Sequence, residues 1–521
     1  MQRTDGIQRL GRQREPWDLL VIGGGATGAS ILLDAATRGL SAVLLEQHDF
    51  GKGTSTRSTK LVHGGVRYLA QGNVSLVREA LRERARLRAN APHVVHEMSF
   101  LVPCRNLWQQ LWYATGFKMY DLLAGRSGFR KARSLRRADC LDAVPTLRPE
   151  WAAGGILYSD GQFDDARLLI NILQTAQEQG AVPLNYFRVD RILKDNVGRA
   201  IGVGCTDQET GQSHEVQARM IINATGPFCD VLRQRDDPQA ERVVAASQGI
   251  HLVLPARFLP GQTAVIVPKT SDGRVIFMIP WEGHVLIGTT DTPIPEAVLE
   301  PRAQAEEVEF LLTTAAQYLT EAPTAGDVLS VFTGIRPLVG KGQGSSSGQV
   351  RTARLSRDHT ILRSPSGMIT ITGGKWTTAR KMAEDCIDRA LEWSGLPSRP
   401  CGTVSLRLHG ATDSTASHSL YGSDAEAIEA LARSDSEFSR PLVEGYPLRA
   451  AEVIWSVRHE MARTVEDVLA RRSRLLFLNA QAALQAAPAV ARWMSRELQR
   501  EENWQQRQLT EFEELVGHYK L

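Results

Sequence analysis

Hydrophobic positions fall into short, strand-length runs that stop at glycine. The first, Trp17-Asp18-Leu19-Leu20-Val21-Ile22, feeds Gly23-Gly24-Gly25-Ala26-Thr27-Gly28. Residues 29–38 then have helical composition, and Gly39 stands where a left-handed C-cap belongs. Residues 41–45 read as a second strand ending at Glu46. Residues 220–223 and 369–372 are further apolar runs leading into Ala224-Thr225-Gly226 and Gly373-Gly374, with a helix-like stretch over 377–393. Residues 182–188 and 200–205 are additional strand-like runs. Elsewhere the pattern changes. Residues 251–254, 263–268, 275–280 and 285–288 alternate apolar and polar side chains as half-buried strands do, and 303–320 has an amphipathic helical stripe. After Pro400 the chain turns helical and charged, with no glycine turn of the first kind.

Strand, GxGxxG, helix, strand and acid in that order have a mechanical reading. Gly23 permits a tight turn, Gly25 admits a pyrophosphate to the backbone, and Gly28 lets helix and strand pack closely. The helix N-terminus offers free N–H donors to phosphate, and Glu46 is spaced to accept from ribose hydroxyls. A first, a middle and a last strand that all end in glycine turns fit one doubly wound sheet with a ligand across its C-terminal edge. The turn by itself does not separate FAD from NAD.

Residues 51–69 read GKGTSTRSTKLVHGGVRYL, small and hydroxylated yet carrying Lys52, Arg57, Lys60, His63 and Arg67. With Glu46 and the glycine turn, this segment resembles the FAD-dependent, membrane-associated glycerol-3-phosphate dehydrogenases, a family within the glycine-oxidase and D-amino-acid-oxidase-like flavoproteins. Further matches follow in family order: Asn90-Ala91-Pro92-His93, Ile222-Asn223-Ala224-Thr225-Gly226-Pro227, Ile287-Gly288-Thr289-Thr290-Asp291, Gly334-Ile335-Arg336-Pro337-Leu338, Ser356-Arg357-Asp358-His359 and Thr372-Gly373-Gly374-Lys375-Trp376-Thr377-Thr378.

The expected fold class is therefore α/β. A Rossmann-like FAD-binding domain is assembled from 17–90, 155–245 and 350–395, an antiparallel-sheet substrate domain from 91–154 and 246–349, and a C-terminal helical domain from 396–521. The resemblance implies FAD as cofactor and oxidation of sn-glycerol 3-phosphate to dihydroxyacetone phosphate, with hydride going to the flavin and electrons to membrane quinone. It assigns to the cofactor Gly23, Gly25, Thr27, Gly28, Glu46, Thr59, Lys60, Val189, Thr225, Gly226, Gly374, Lys375 and Thr377. It assigns to the substrate phosphate Arg67, Tyr68, Arg357 and Lys375, arginine being suited by its planar fork of donors. Arg336 is expected near the reacting C2 oxygen, where it stabilises negative charge as the proton leaves. His63 and His251 are both candidates for the base, since histidine titrates near the working pH. Asp291 is expected to serve the substrate domain's structure rather than the chemistry.

Composition narrows the alternatives. Hydrophobic residues are 42% and charged residues 23% of the 521, ordinary for globular chains and enough for roughly two to four domains. Lys and Arg number 61 against 58 Asp and Glu, a net +3 that gives no argument for nucleic acid. The six cysteines lack CxxC or Cys/His spacing, so neither a metal site nor a disulfide framework is expected, and a reducing compartment is the simplest reading. No signal peptide and no run of about 18 apolar residues is found, which fits a cytoplasmic protein held peripherally on the inner face of the cell membrane. Residues 125–137 carry six basic side chains and no acid, just after Trp108, Trp112, Tyr113, Phe117 and Tyr120. Such a stretch suits a lipid headgroup interface, or equally a core helix followed by a solvated loop. A glycerol-phosphate oxidase using oxygen, an amino-acid or amine oxidase of the same fold, and a flavin-binding scaffold stay open as alternatives, as does a homodimeric assembly.

Overall fold

The computed structural model describes residues 1–65, 73–125, 128–268, 270, 273–340, 358–412 and 420–521. Two sheets organise them. The first is eight-stranded, with a parallel core in the order Ile369–Gly373, Ser213–Asn223, Trp17–Ile22, Ala42–Leu45, Val182–Leu184. The strand His359–Arg363 closes one edge antiparallel, and the hairpin of Phe187–Lys194 and Ala200–Asp207 continues from the outer half of Ser213–Asn223. Successive side chains on a strand point to opposite faces, so the first strand divides cleanly. Leu19 and Val21 enter a core shared with the helices Ala26–Thr37, Asp165–Glu178 and Ala379–Ser394, while Leu20 and Ile22 pack with Phe187, Val189 and Val203.

The second sheet has ten strands, mostly antiparallel. Its faces are divided by the same alternation. Ile250, Leu252 and Leu254 pack toward the helix Ala305–Tyr318, and Val253, Ile279 and Trp281 face the C-terminal helices. Parts of two segments expected with the cofactor belong to this sheet, Leu61–Val62 pairing antiparallel with residues 161–162. Residues 154–163, expected with the cofactor segments, form a strand of this second sheet paired along its whole length with Val95–Cys104. The polar N-terminus holds a helix, Arg3–Arg12, whose Leu10 joins the outer core of the first sheet and whose Arg3 is buried against Asp207. That helix has few apolar positions and two glycines, so it owes its stability to this docking.

The C-terminal unit comprises the helices Ala425–Ser434, Ala450–Glu460, Ala480–Leu498 and Glu502–Val516 with shorter turns between. It is not self-contained. Leu475, Phe477, Val490 and Met494 share one core with Phe100, Ile279 and Phe332 of the second sheet. A wide turn over Asp467–Arg472, closed by a Ser473 N–H to Val468 carbonyl bond, directs Arg471 and Arg472 inward together.

Candidate active site

A cavity of about 510 Å3 runs from the end of the first strand to the facing side of the second sheet. At its first end the backbone is shaped for close approach. Gly23 has φ +107°, and a Cβ there would lie 2.7 Å from the Ala224 carbonyl oxygen; a Cβ on Gly28 would drive into the Gly23 carbonyl oxygen. Both positions are closed to larger residues by neighbouring backbone, which holds the turn and the helix start against the strand. Helix Ala26–Thr37 begins at Gly25 without a side-chain cap from that residue, and Gly25, Ala26 and Thr27 line the cavity; the Ala26 amide donates to Ser55 Oγ at 2.9 Å. Uncapped N–H groups with positive helix potential are what a diphosphate requires.

Glu46 ends the second strand on the cavity wall. Its carboxylate accepts from the Gly24 amide at 2.6 Å and the His48 amide at 2.9 Å, leaving acceptor capacity for hydroxyls. Burial pushes this carboxyl above its usual range against the pull of those amides. His48, also on the wall, is pushed down to about 4 by burial and then by the Lys52 ammonium. Lys52 pairs with Glu466 at 2.6 Å, and Arg57 with Glu300 at 2.6 Å. Two cations of the 51–69 loop are thus neutralised by more distant acids. The Val189 side and the turn at Thr225 and Gly226 line the opposite wall, with Thr27 between.

At the far end, His251 is 2% exposed, stacked on Phe332 with ring centroids 4.9 Å apart, its Nε2 2.9 Å from Thr59 Oγ1. Burial first, then the Arg336 and Lys60 cations, hold its pKa well below the ordinary value, so the ring is neutral near pH 7. Arg336 projects from strand Ser330–Val339. Its guanidinium donates to Thr289 Oγ1 and the Thr290 carbonyl, both at 3.0 Å, and pairs with Asp291 at 3.2 Å. His63, Gly374, Lys375 and Thr377 line the same end, where the strand Ile369–Gly373 runs through two positive-φ glycines into the helix Ala379–Ser394.

The structure brings most of the expected residues to this one cavity and separates a few. Gly28 packs behind the turn rather than lining the cavity. Lys60, expected on the flavin, lies outside the lining. Its ammonium is 1% exposed, 2.8 Å from both Asp165 oxygens and 2.7 Å from the Thr56 carbonyl, boxed by Trp281, Phe332 and Phe477. A buried ammonium needs such a counter-charge, and the partner sits more than a hundred positions away in sequence. Arg67, Tyr68 and Arg357 lie outside the described residues. Asp291, expected to serve the substrate domain's structure, pairs with Arg336 on the cavity wall. His48 and Ser55 were not foreseen; neither carries a spacing signal, since one matters through burial and the other by accepting from the Ala26 amide, 29 positions earlier.

Glycines closed by backbone, an uncapped helix start and a buried carboxylate together fit a dinucleotide along the first sheet, and the cavity continues to the second sheet without interruption. Comparison with known proteins agrees. Residues 18–380 match the family of FAD dependent oxidoreductases, and 366–508 match the C-terminal domain of alpha-glycerophosphate oxidase. The chain is 40% identical to the mitochondrial glycerol-3-phosphate dehydrogenase of Homo sapiens and 39% identical to the probable mitochondrial glycerol-3-phosphate dehydrogenase of Caenorhabditis elegans, in each case over 95% of this chain and 72% of the relative. The crystal structure of glycerol-3-phosphate dehydrogenase from Bacillus halodurans complexed with FAD superposes with a TM-score of 0.79 at 32% identity, over 99% of this chain and 97% of that one. Glycine oxidase from Geobacillus kaustophilus shares the fold at 20% identity and TM-score 0.53. The chain belongs to the FAD-dependent oxidoreductases, in the glycerol-3-phosphate dehydrogenase family.

Proposed function

We propose that the protein oxidises sn-glycerol 3-phosphate to dihydroxyacetone phosphate and passes the electrons to a membrane quinone. The observation that carries this reading is the convergence of Arg336, Lys375 and a neutral His251 at the end of the cavity opposite the glycine turn. The names of the relatives supply the substrate. When bound, FAD would accept the hydride equivalent released from C2. Gly23, Gly25, Thr27, Glu46, Val189, Thr225, Gly226, Gly374 and Thr377 would hold it.

The chain's own residues do the rest. Lys375, with Arg67, Tyr68 and Arg357, would hold the phosphate dianion. Arg336 would stabilise negative charge on the C2 oxygen as its proton leaves, in a site where fixed charges need no reorganisation. His251, kept neutral by its surroundings and held 2.9 Å from Thr59 Oγ1, would receive that proton. His63 is the second candidate for this role.

Anaerobic addition of glycerol 3-phosphate should bleach the flavin absorption of the holoenzyme, while glycine and D-alanine leave it yellow. A quinone analogue should restore the colour faster than oxygen does. Arg336→Ala is expected to lower the bleaching rate about 100-fold or more with flavin still bound. Bleaching by an amino acid alone would reject the substrate, and undiminished bleaching in the variant would reject the role of Arg336.

Contact with a bilayer is supported by the helix Leu107–Ala124. No helix among the described residues is long and apolar enough to cross a membrane. On this one, Phe117 and Tyr120 are buried while Trp108, Trp112 and Leu122 are about four-fifths exposed, with Leu107, Leu111 and Met119 also outward. The exposed Arg130, Lys131, Arg133, Arg136 and Arg137 follow it. Aromatic and aliphatic side chains beside a basic strip suit the surface of an anionic bilayer. The double variant Trp108→Ser, Trp112→Ser should lose sedimentation with phosphatidylglycerol-containing vesicles yet keep turnover with a soluble dye. Unchanged sedimentation would place the contact elsewhere.

A further inference from the structure

We propose that Glu307 is a positioning residue that fixes Arg336 through the segment joining strands His284–Gly288 and Thr292–Pro293. This rests on the role given to Arg336 above. Glu307 is the third residue of helix Ala305–Tyr318 and is 5% exposed. A carboxylate in the first turn of a helix usually serves the cap, and one bond here does so, from the Gln304 amide at 3.1 Å. The remaining bonds go elsewhere. One oxygen accepts from the hydroxyls of Thr290 and Thr292, both at 2.7 Å, and the other from the Gln248 side-chain amide at 2.6 Å. Among the described residues it forms no ion pair. A buried carboxylate served by neutral donors alone is costly to maintain, and a cap does not need it to reach two threonines on another element.

Two of those partners, Thr290 and Gln248, also contact Arg336 through their carbonyls. The guanidinium donates to the Thr290 carbonyl and Thr289 Oγ1, pairs with Asp291, and lies 3.4 Å from the Gln248 carbonyl. Thr290 is held once more, because its hydroxyl also accepts from the Ile250 amide at 3.0 Å. Thr290 and Thr292 flank Asp291, so Glu307 clamps the segment on both sides of the carboxylate that pairs with Arg336. Helix Ala305–Tyr318 therefore transmits its rigid position to one guanidinium in the cavity. Errors of an ångström at a charge-stabilising group are enough to slow a reaction, so the clamp should be visible in the rate.

The test is a double-mutant cycle on the holoenzyme with glycerol 3-phosphate, combining Glu307→Ala with Arg336→Lys. Glu307→Ala is expected to lower kcat about 10-fold with KM moved less than about threefold, the signature of an interaction realised in the transition state. In the Arg336→Lys background the same change should cost less than about twofold. Glu307→Gln should recover most of the rate, since its amide oxygen can accept from both threonines while Gln248 turns to present its own oxygen. A readout apart from turnover is backbone hydrogen exchange, expected to accelerate over residues 247–250 and 288–292 in Glu307→Ala and to stay slow in Glu307→Gln. Full additivity in the cycle, or a wild-type rate in Glu307→Ala, would overturn the proposal. If Glu307→Ala does not fold, Thr292→Val removes one of the same bonds and carries the same expectation at smaller size. A wild-type enzyme inert to glycerol 3-phosphate would instead refute the substrate assignment, and the cycle would then be run with whichever substrate bleaches the flavin.

Discussion

His48 and His251 are neutral for the same reason: each is desolvated in the cavity wall, with cations for neighbours. Burial dominates both shifts, with Lys52 behind the first and Arg336 and Lys60 behind the second. The consequence for stability has a definite sign. A histidine held near 4 in the folded chain takes up a proton at 6.5 when unfolded, so the unfolded state binds more protons between those values and stability falls as the pH drops below 6.5. For His48 the displacement corresponds to roughly 3 kcal/mol at full protonation of the unfolded chain. The melting temperature should therefore decline from pH 7 to pH 5, and His48→Gln should decline less over the same interval. Parallel decline in both proteins would show that His48 titrates normally. Lys60 illustrates the opposite outcome at this scale. The family resemblance assigns it to the cofactor, but the aromatic box and Asp165 that claim its ammonium come from elements distant in sequence.

Among the elements, the glycine turn is the one whose sequence and geometry coincide most closely, because its requirements are local. Gly28 has no φ that demands glycine; what excludes a side chain is the Gly23 carbonyl against which its α-carbon packs. Gly28→Ala must push helix Ala26–Thr37 away from the first strand, and both are fully packed. Overpacking of this kind costs about 1–3 kcal/mol or more, and it moves the N–H groups aimed at the cofactor. The variant should purify with less than about a tenth of the normal flavin content, measured from the ratio of flavin to protein absorbance. A fully loaded, equally stable variant would mean that the close packing is not needed. The same locality explains what could be read in advance. Strands form at 251–254 and 285–288 and a helix within 303–320 as expected, but the strands are not half-buried. One face packs on helix Ala305–Tyr318 and the other on the C-terminal helices, a second cover that the residues of the strands do not announce. Pairing across long separations is not inscribed that way. Nothing within 154–163 says that it joins the second sheet rather than the first, because its partner Val95–Cys104 lies beyond an intervening helix.

At the scale of the whole molecule, the helical C-terminal unit and the cofactor segment are joined by charge as well as by apolar packing. Asp49 is fully buried between Glu46 and the Gly51 turn, both on the cavity wall. It receives both nitrogens of Arg472, at 2.8 and 2.9 Å, and Arg471 as well. Lys52 reaches Glu466, Arg167 pairs with Glu460, and Arg474 lies 2.9 Å from Asp164. Two adjacent guanidiniums hold the Asp49 carboxyl below its usual range despite its burial. Removing the anion falls hardest on Arg472. Arg471 keeps Glu466 at 2.7 Å and Asp467 at 2.9 Å, whereas Arg472 loses its paired bonds and retains a carboxylate only at 3.6 Å, in Glu460, so Asp49→Asn is expected to cost up to about 3–5 kcal/mol. Over a chain of this length that is a fall of about 3–4 °C in melting temperature if the molecule melts as one unit. The location of the loss is the sharper expectation. The Gly51 amide donates to the Gly24 carbonyl at 3.0 Å, so a loosened 49–52 segment disturbs the glycine turn directly. FAD fluorescence should then appear at a lower temperature than in the wild type, and affinity for added FAD should fall. Removing the exposed Arg458–Glu497 pair by Arg458→Ala should change neither, because a surface pair contributes about 1 kcal/mol at most. If Asp49→Asn releases flavin no earlier than Arg458→Ala does, the helical unit is held to the cofactor segment by its hydrophobic contacts alone, and the buried ion pairs do not brace the cofactor site.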